Sequence, residues 1–290
     1  MSDTTSKVLR AALSSESPRK ITLRQAIGFG VGDFYGGGQL TIIATYLSLF
    51  WTKFCGMSIS TAQGVIGLSA LISAVAALVF GVFDDNLYRY DIGRRFGRRR
   101  LLLMIIAPLL LLGIFLWIPG QPFAVYVSAY LLWVILAQLF QTSYNPLPGE
   151  MTPDFNGRTK LSTVRLFIST GAATAIPLAG SAVLAVFGES SPTGYMIFTI
   201  VTIVLFALAV FACWRFTWEM TPEAAGFGAY ARGEVHDGRI GATGWLRRAG
   251  KVLREYASTL RVKEFRKHLS IYLLAVSYTH LRAHETELHL

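Results

Sequence analysis

Six apolar runs, each long enough to cross a bilayer, alternate with short charged segments along this chain and restrict its folds more than any other feature. They lie at Gln25–Trp51, Ile59–Phe83, Leu101–Trp117, Phe123–Asn145, Leu161–Phe187 and Thr193–Trp214. A helix needs roughly 20 apolar residues to span ~30 Å of hydrocarbon, and backbone in lipid must satisfy its own N–H and C=O groups. The runs therefore predict an all-α membrane protein built as a six-helix bundle. Composition agrees. Of 290 residues 53% are hydrophobic and only 15% charged, where a soluble domain carries about 25% charged residues.

The net charge of +10 would suggest nucleic acid in a soluble protein, but here its placement matters more than its sum. Lys7, Arg10, Arg19, Lys20 and Arg24 precede helix 1, and Arg89, Arg94, Arg95, Arg98, Arg99 and Arg100 lie between helices 2 and 3. Arg158 and Lys160 join helices 4 and 5, and a basic stretch from Arg215 to Lys267 follows helix 6. The opposite connections, Thr52–Ser58, Ile118–Pro122 and Gly188–Pro192, hold one basic residue, Lys53. Basic residues stay on the cytoplasmic side. A multi-pass protein of the inner membrane is expected, with its amino terminus and the segment after helix 6 in the cytoplasm. Its partner is then the lipid bilayer, with no nucleic acid. Met1–Lys20 is polar and the first apolar run is too long for a signal core, so no cleavable signal is expected. Trp51, Trp117 and Trp214 stand at helix ends, where amphipathic rings favour the interface. Cys55 and Cys213 fall near opposite faces in this topology, so no disulfide is expected.

The chain divides accordingly. Residues 1–24 form a cytoplasmic segment, 25–215 the six-helix bundle, 216–268 a cytoplasmic central loop and 269–276 the start of a seventh helix. Within the loop, Trp245–Phe265 has apolar residues at helical spacing with Arg and Lys between them. That fits either an amphipathic helix on the membrane surface or a solvated linker. Ser277–Leu290 (SYTHLRAHETELHL) ends the seventh run abruptly and resembles translated sequencing-adapter sequence, so it is set aside. Its His280 and His284 have metal-ligand spacing but no third ligand, and no metal site is expected.

Asp33 is the first residue to carry chemistry. A carboxylate about nine residues into helix 1 is costly, so it faces a cavity and pairs with a cation, a proton or a basic side chain. Arg165, at similar depth on helix 5, is its natural counterpart, and the two are expected to meet or share a polar cavity. Gln138, Gln141 and Asn145 recur at i, i+3 and i+7 on one face of helix 4, flanked by Tyr144. Amides beside an aromatic suit a hydroxyl-rich solute such as a sugar, stacking on its face, although amides also hydrogen-bond between helices. Gly28, Gly32 and Gly36 make a small-residue row on helix 1 that permits close packing or bending. In the loop Gly81–Arg100, Asp84 and Asp85 precede the arginines, as in a conformational latch where a carboxylate caps a helix and arginines bind carboxylates or headgroups. Asp84, Asp85 and Asp91 could instead hold Mg²⁺ and a diphosphate, as in membrane prenyltransferases, but no second acidic motif accompanies them.

Three stretches together resemble the glycoside–pentoside–hexuronide:cation symporters, the melibiose-permease branch of the major facilitator superfamily. They are IGFGVGDFYGGG in helix 1, GRRFGRRR before helix 3, and SYNPLPGEMTPDFNGRTKLSTVR after helix 4. In the third, Tyr144, Asn145, Leu147, Glu150, Thr152, Asp154, Arg158, Thr159, Leu161 and Arg165 fall on the family pattern in register. The resemblance covers about residues 20–225. It implies two inverted three-helix repeats, Asp33 and Arg165 at a sugar and cation site, and a latch from Asp84, Asp85, Arg98, Arg99, Glu150, Asp154 and Arg158. It also implies a further six-helix half, so this chain is expected to be the amino-terminal half of a carrier. No cofactor is expected beyond a coupling ion, H⁺ or Na⁺. Departures are equally informative. The two helix 2 carboxylates of the family are replaced by Ser73 and Ala77, and its helix 4 aspartate falls at Gln141. The helix 2–3 loop also holds extra residues around Tyr88–Ile92. These changes weaken sodium coupling through the usual cluster and favour proton coupling through Asp33, uniport or an atypical substrate. The function expected is secondary transport of a sugar or glycoside, not enzymatic catalysis. A carrier of lipids or other amphiphiles is the alternative.

Overall fold

The computed structural model describes residues 20–231, 250, 254, 258–259 and 261–271. Among these, every regular element is helical. The chain forms two units divided between His236 and Asp237. In the second, residues 263–271 are helical, so helix spans the boundary expected at Leu269. Most of Trp245–Phe265 and all of Ser277–Leu290 lie outside the described residues.

In the first unit α1 runs from Leu23 to Phe54 in pieces: Leu23–Gly30, Gly32–Ile42, a π-helical turn at Ile43–Leu47, and Ser48–Phe54. Then come α2 (Ile59–Asn86), α3 (Arg98–Leu109) and α4 (Phe123–Tyr144), followed by α5 (Phe155–Phe187) and α6 (Pro192–Phe216). α3 tightens into a 3₁₀ run, Leu110–Trp117, just after Pro108, whose missing N–H breaks the i→i−4 ladder. A short helix, Leu147–Met151, extends α4. From α2 onward each of the five helices is long and apolar enough to cross a membrane; α1, broken into shorter pieces, packs with them as the sixth helix of the bundle.

The helix ends depart from the hydropathy limits because caps, not apolarity, terminate a helix. Thr22 and Gln25 form a reciprocal capping box that starts α1 at Leu23. Ser58 caps α2 and Asp154 caps α5, the latter accepting from Gly157 N at 2.6 Å, six residues before the expected start.

The helices pair as two superposed sets. α1 packs on α5 and α6, α4 packs on α2 and α3, and α3 meets α6. Exchanging the first three helices with the last three leaves this scheme unchanged, as two three-helix repeats require. Three crossings per repeat make the second begin on the opposite side, so the repeats are inverted.

Packing in lipid relies on close contact rather than on a hydrophobic driving force. Tyr35 of α1 sits edge-on to Trp133, Phe140 and Phe206, with ring centroids 5.7, 5.0 and 5.4 Å away. Trp51 and Trp117, expected at the interface, are buried instead. Trp51 donates Nε1 to Leu116 O at 3.1 Å and closes the end of the bundle opposite the arginines. Gly38 shows the α1 tolerance: a Cβ there would lie 2.8 Å from Phe206 Cε1, with Ile176 nearer still. Gly38→Val is therefore expected to destabilise the bundle by about 1–3 kcal/mol through overpacking, measured as thermal unfolding in detergent. An unchanged midpoint would mean α1 and α6 are looser than described.

Candidate functional site

Asp33 stands ten residues into the run that begins at Leu23, and Arg165 ten residues into α5. Gln141 stands ten residues before the α4 run ends at Met151. At 1.5 Å per residue all three lie ~15 Å from the basic end, half the hydrocarbon depth.

Glycines bring α5 close enough for these side chains to meet. A Cβ at Gly30 would lie 3.0 Å from Val164 Cγ1 and 3.2 Å from Arg165 N, and Gly37 abuts Ser169. Across this contact Arg165 Nε donates to Asp33 Oδ2 at 3.0 Å, and Arg165 Nη2 donates to Asn145 Oδ1 at 2.7 Å. The Arg165 guanidinium also lies 4.7 Å from the Tyr144 ring centroid, a cation–π contact. Asp33 is buried, whereas the Arg165 side chain keeps 23% exposure. A cavity of about 320 Å³ opens beside the pair, lined by Asp33, Gly36, Gln141, Ser162, Arg165, Leu166 and Ser169. Gly36 leaves room for the carboxylate, since a Cβ there would collide with Asp33 Oδ1.

The other helix 4 residues are placed differently from the expectation. Tyr144 is fully buried between Phe29 and Phe140, stacked at 4.6 and 4.8 Å, and donates its hydroxyl to Phe29 O at 3.0 Å. Its ring carries Arg165 and is closed to a sugar face. Gln138 shares the helical face but turns to α2, accepting from Ser73 Oγ at 3.0 Å. Ser162 and Ser169 were not anticipated. Their spacing about Arg165, three before and four after, was the available signal.

A second cluster occupies the basic end. Arg99 pairs with Asp84, and Arg99 Nε and Arg98 Nη2 converge on Glu150 Oε1 at 2.7 and 2.6 Å. Asp84 therefore pairs with a side chain. The α3 N-terminus is capped by Glu219, beyond α6, which accepts from Arg98 N at 3.0 Å, Arg100 N at 2.5 Å and the Tyr88 hydroxyl at 3.1 Å. Gly97, at φ 85°, supplies the left-handed turn before α3 and has no Cβ to strike Glu219 Oε1, which would lie 2.7 Å away. Trp218 donates Nε1 to Met151 O at 2.9 Å, so the segment after α6 ties the α2–α3 and α4–α5 connections together. Asp154 caps α5, and Arg158 is exposed on its first turn. The Asp85 side chain lies outside the described residues. Asp91 pairs with Arg94 at the exposed surface, away from the buried Asp84, and no group of three metal-ligating side chains occurs among the described residues.

Burial raises the Glu219 carboxyl above its ordinary value; the Arg100 N–H opposes this and Glu150 adds to it. Burial also raises the Tyr88 hydroxyl, with Glu219 contributing.

The family described as MFS/sugar transport protein matches residues 28–255. The "uncharacterized symporter YjmB" of Bacillus subtilis (strain 168) is 28% identical over 166 residues, covering 55% of this chain and 36% of that protein. The "uncharacterized symporter YnaJ" of the same organism is 26% identical over 161 residues, covering 53% of this chain and 34% of its own length. The matched region thus spans about a third of each curated relative.

Two outcomes follow from this geometry. Asp33→Asn and Arg165→Gln should each destabilise the protein by on the order of 2–3 kcal/mol, less than a fully enclosed pair because Arg165 is partly exposed. Combining them should cost well below the sum of the singles; additive unfolding midpoints would show the charges uncoupled. For Glu219 the folded value is raised, so the fold binds the extra proton. Stability from this group is lost as pH rises through the folded value and regained as pH falls toward the free carboxyl range. Glu219→Gln, which keeps a capping oxygen, should flatten that slope in unfolding curves taken from neutral pH down to about pH 5.

Proposed function

The chain belongs to the MFS/sugar transport protein family, and from that membership we propose that it forms half of a secondary transporter for a sugar or glycoside. The complete carrier works by alternating access in the inner membrane, driven by H⁺ or Na⁺. The basic end and the segment after α6 face the cytoplasm, in keeping with the arginine placement. A second six-helix half completes the site, which in such carriers lies near the midplane between repeats. The names of the two Bacillus relatives, both symporters, favour coupling to an ion.

One observation carries the reading: the Asp33–Arg165 pair opens onto a mid-depth cavity with Gln141, Ser162 and Ser169 in its wall. These donors and acceptors suit hydroxyl groups. A carrier of amphiphiles would present an apolar groove there. Asp33 accepts the coupling ion. A proton or cation on its carboxylate weakens its hold on Arg165, and the guanidinium then turns its donors to the solute's oxygens. Asn145 keeps Arg165 oriented during the exchange. At the basic end Arg98, Arg99, Asp84 and Glu150 form the latch, with Glu219 joined to it through the α3 terminus. Breaking it exposes buried charge, which gives the closed arrangement its barrier.

The test uses the complete carrier in proteoliposomes, following uptake of radiolabelled sugars under a pH gradient or a Na⁺ gradient. Gradient-driven uptake is expected in the wild type and only downhill exchange in Asp33→Asn. Coupled uptake that survives Asp33→Asn overturns the coupling role. A carrier that moves phospholipid analogues but no sugar overturns the substrate class.

A further inference from the structure

α6 carries an apolar stripe on its outer face that ends in an arginine. Ile197, Val201, Leu205, Leu208 and Phe211 recur at helical intervals and are 42% to 58% exposed. Arg215, four residues beyond Phe211, is exposed on the same face. Its two neighbours each hold a guanidinium from another helix. Arg100 of α3 lies 5.8 Å from the Trp214 centroid and donates Nη2 to Trp214 O at 3.4 Å. Arg24 of α1 lies 5.6 Å from the Phe216 centroid.

Among the described residues these three arginines have no carboxylate partner, whereas Arg94, Arg98, Arg99 and Arg165 all do. Glu219, the acidic group nearest in sequence to Arg215, uses its oxygens on the backbone N–H groups of Arg98 and Arg100 and on the Tyr88 hydroxyl. Positive charge is therefore left at the membrane end of an apolar stripe. From Leu205 to Arg215 the helix rises ~15 Å, half the hydrocarbon thickness, or one leaflet.

We propose that this end of α6 is a binding site for an anionic phospholipid of the leaflet at the basic end. Arg215 holds the phosphate, with Arg100 and Arg24 flanking it, and an acyl chain lies along Leu205, Leu208 and Phe211. Guanidinium forks match phosphate oxygens, and uncompensated positive charge selects a net negative headgroup over a zwitterionic one. The site is on the outside of the bundle. The cavity beside Asp33 draws its wall from α1, α4 and α5 only, so a failure here leaves the transport reading intact.

The test delipidates the full-length protein in detergent and adds equal amounts of palmitoyl-oleoyl phosphatidylglycerol or phosphatidylcholine. Bound lipid is counted by native mass spectrometry. Phosphatidylglycerol is expected to stay bound in preference to phosphatidylcholine. Arg24→Gln with Arg215→Gln, both at the surface, should weaken that retention roughly tenfold or more. Lys20→Gln with Arg95→Gln, an equal charge loss elsewhere at the same end, should leave it unchanged. Arg100→Lys, which keeps the charge but not the guanidinium fork, should retain the lipid more weakly than wild type. Equal retention of both lipids overturns the proposal. So does an equal loss in both double variants, which would show only general attraction to positive charge.

Discussion

A carboxylate and a guanidinium ~15 Å deep in hydrocarbon are each too costly to stand alone, and the packing of α1 against α5 is arranged around that requirement. Arg165 reaches Asp33 because Gly30 and Gly37 remove the side chains that would hold the two helices apart. The Tyr144 ring centroid lies 4.7 Å from the guanidinium, and Asn145 accepts from its Nη2. α4 is thereby fixed as well, since Tyr144 is stacked between Phe29 and Phe140 and hydrogen-bonded to α1. Three helices from different parts of the chain are locked by one ion pair and its supports.

The same economy of charge governs the basic end by a different route. There the arginines are near water, and isolated surface pairs would contribute little. Burial changes that. The side chains of Arg98, Arg99, Asp84 and Glu150 are each about 1–11% exposed, so losing any one removes a buried charge from a network that shares it. Glu219 extends the cluster into the α3 helix terminus, where a carboxylate also meets the positive end of the helix dipole. Two charge clusters, one at mid-depth and one at the rim, therefore clamp opposite ends of the inner half of the bundle.

Much of this was legible in the sequence because membranes penalise charge so sharply. Hydropathy located the helices, and depth alone paired Asp33 with Arg165. Helix ends were less legible: Thr22 and Asp154 cap within polar sequence, outside the apolar runs. Gln138 shares a face with Gln141, yet its partner Ser73 sits on another helix, and periodicity says nothing about which neighbour a side chain will choose. Trp51 and Trp117 were expected at the lipid interface because their position along the axis is readable and their direction around it is not. Glu219 caps a helix that begins 121 residues earlier in the chain, a contact that no local pattern encodes.

The Ser73–Gln138 hydrogen bond bears on how coupling could work. Where the resembled symporters carry carboxylates on helix 2, this chain has a neutral bond between α2 and α4. Among the described residues Asp33 is then the one carboxylate in the cavity wall, and it is paired with Arg165. Under the proposed function, ion and solute favour each other through a single guanidinium: what neutralises Asp33 frees Arg165, and what engages Arg165 bares Asp33. By linkage these are one coupling free energy seen from two sides. A site with separate carboxylates can bind ion and solute through distinct contacts. In the proposed function the ion pair itself is the coupling element, so its strength must stay moderate. The 23% exposure of Arg165 keeps the pair within reach of water, as the proposed opening requires.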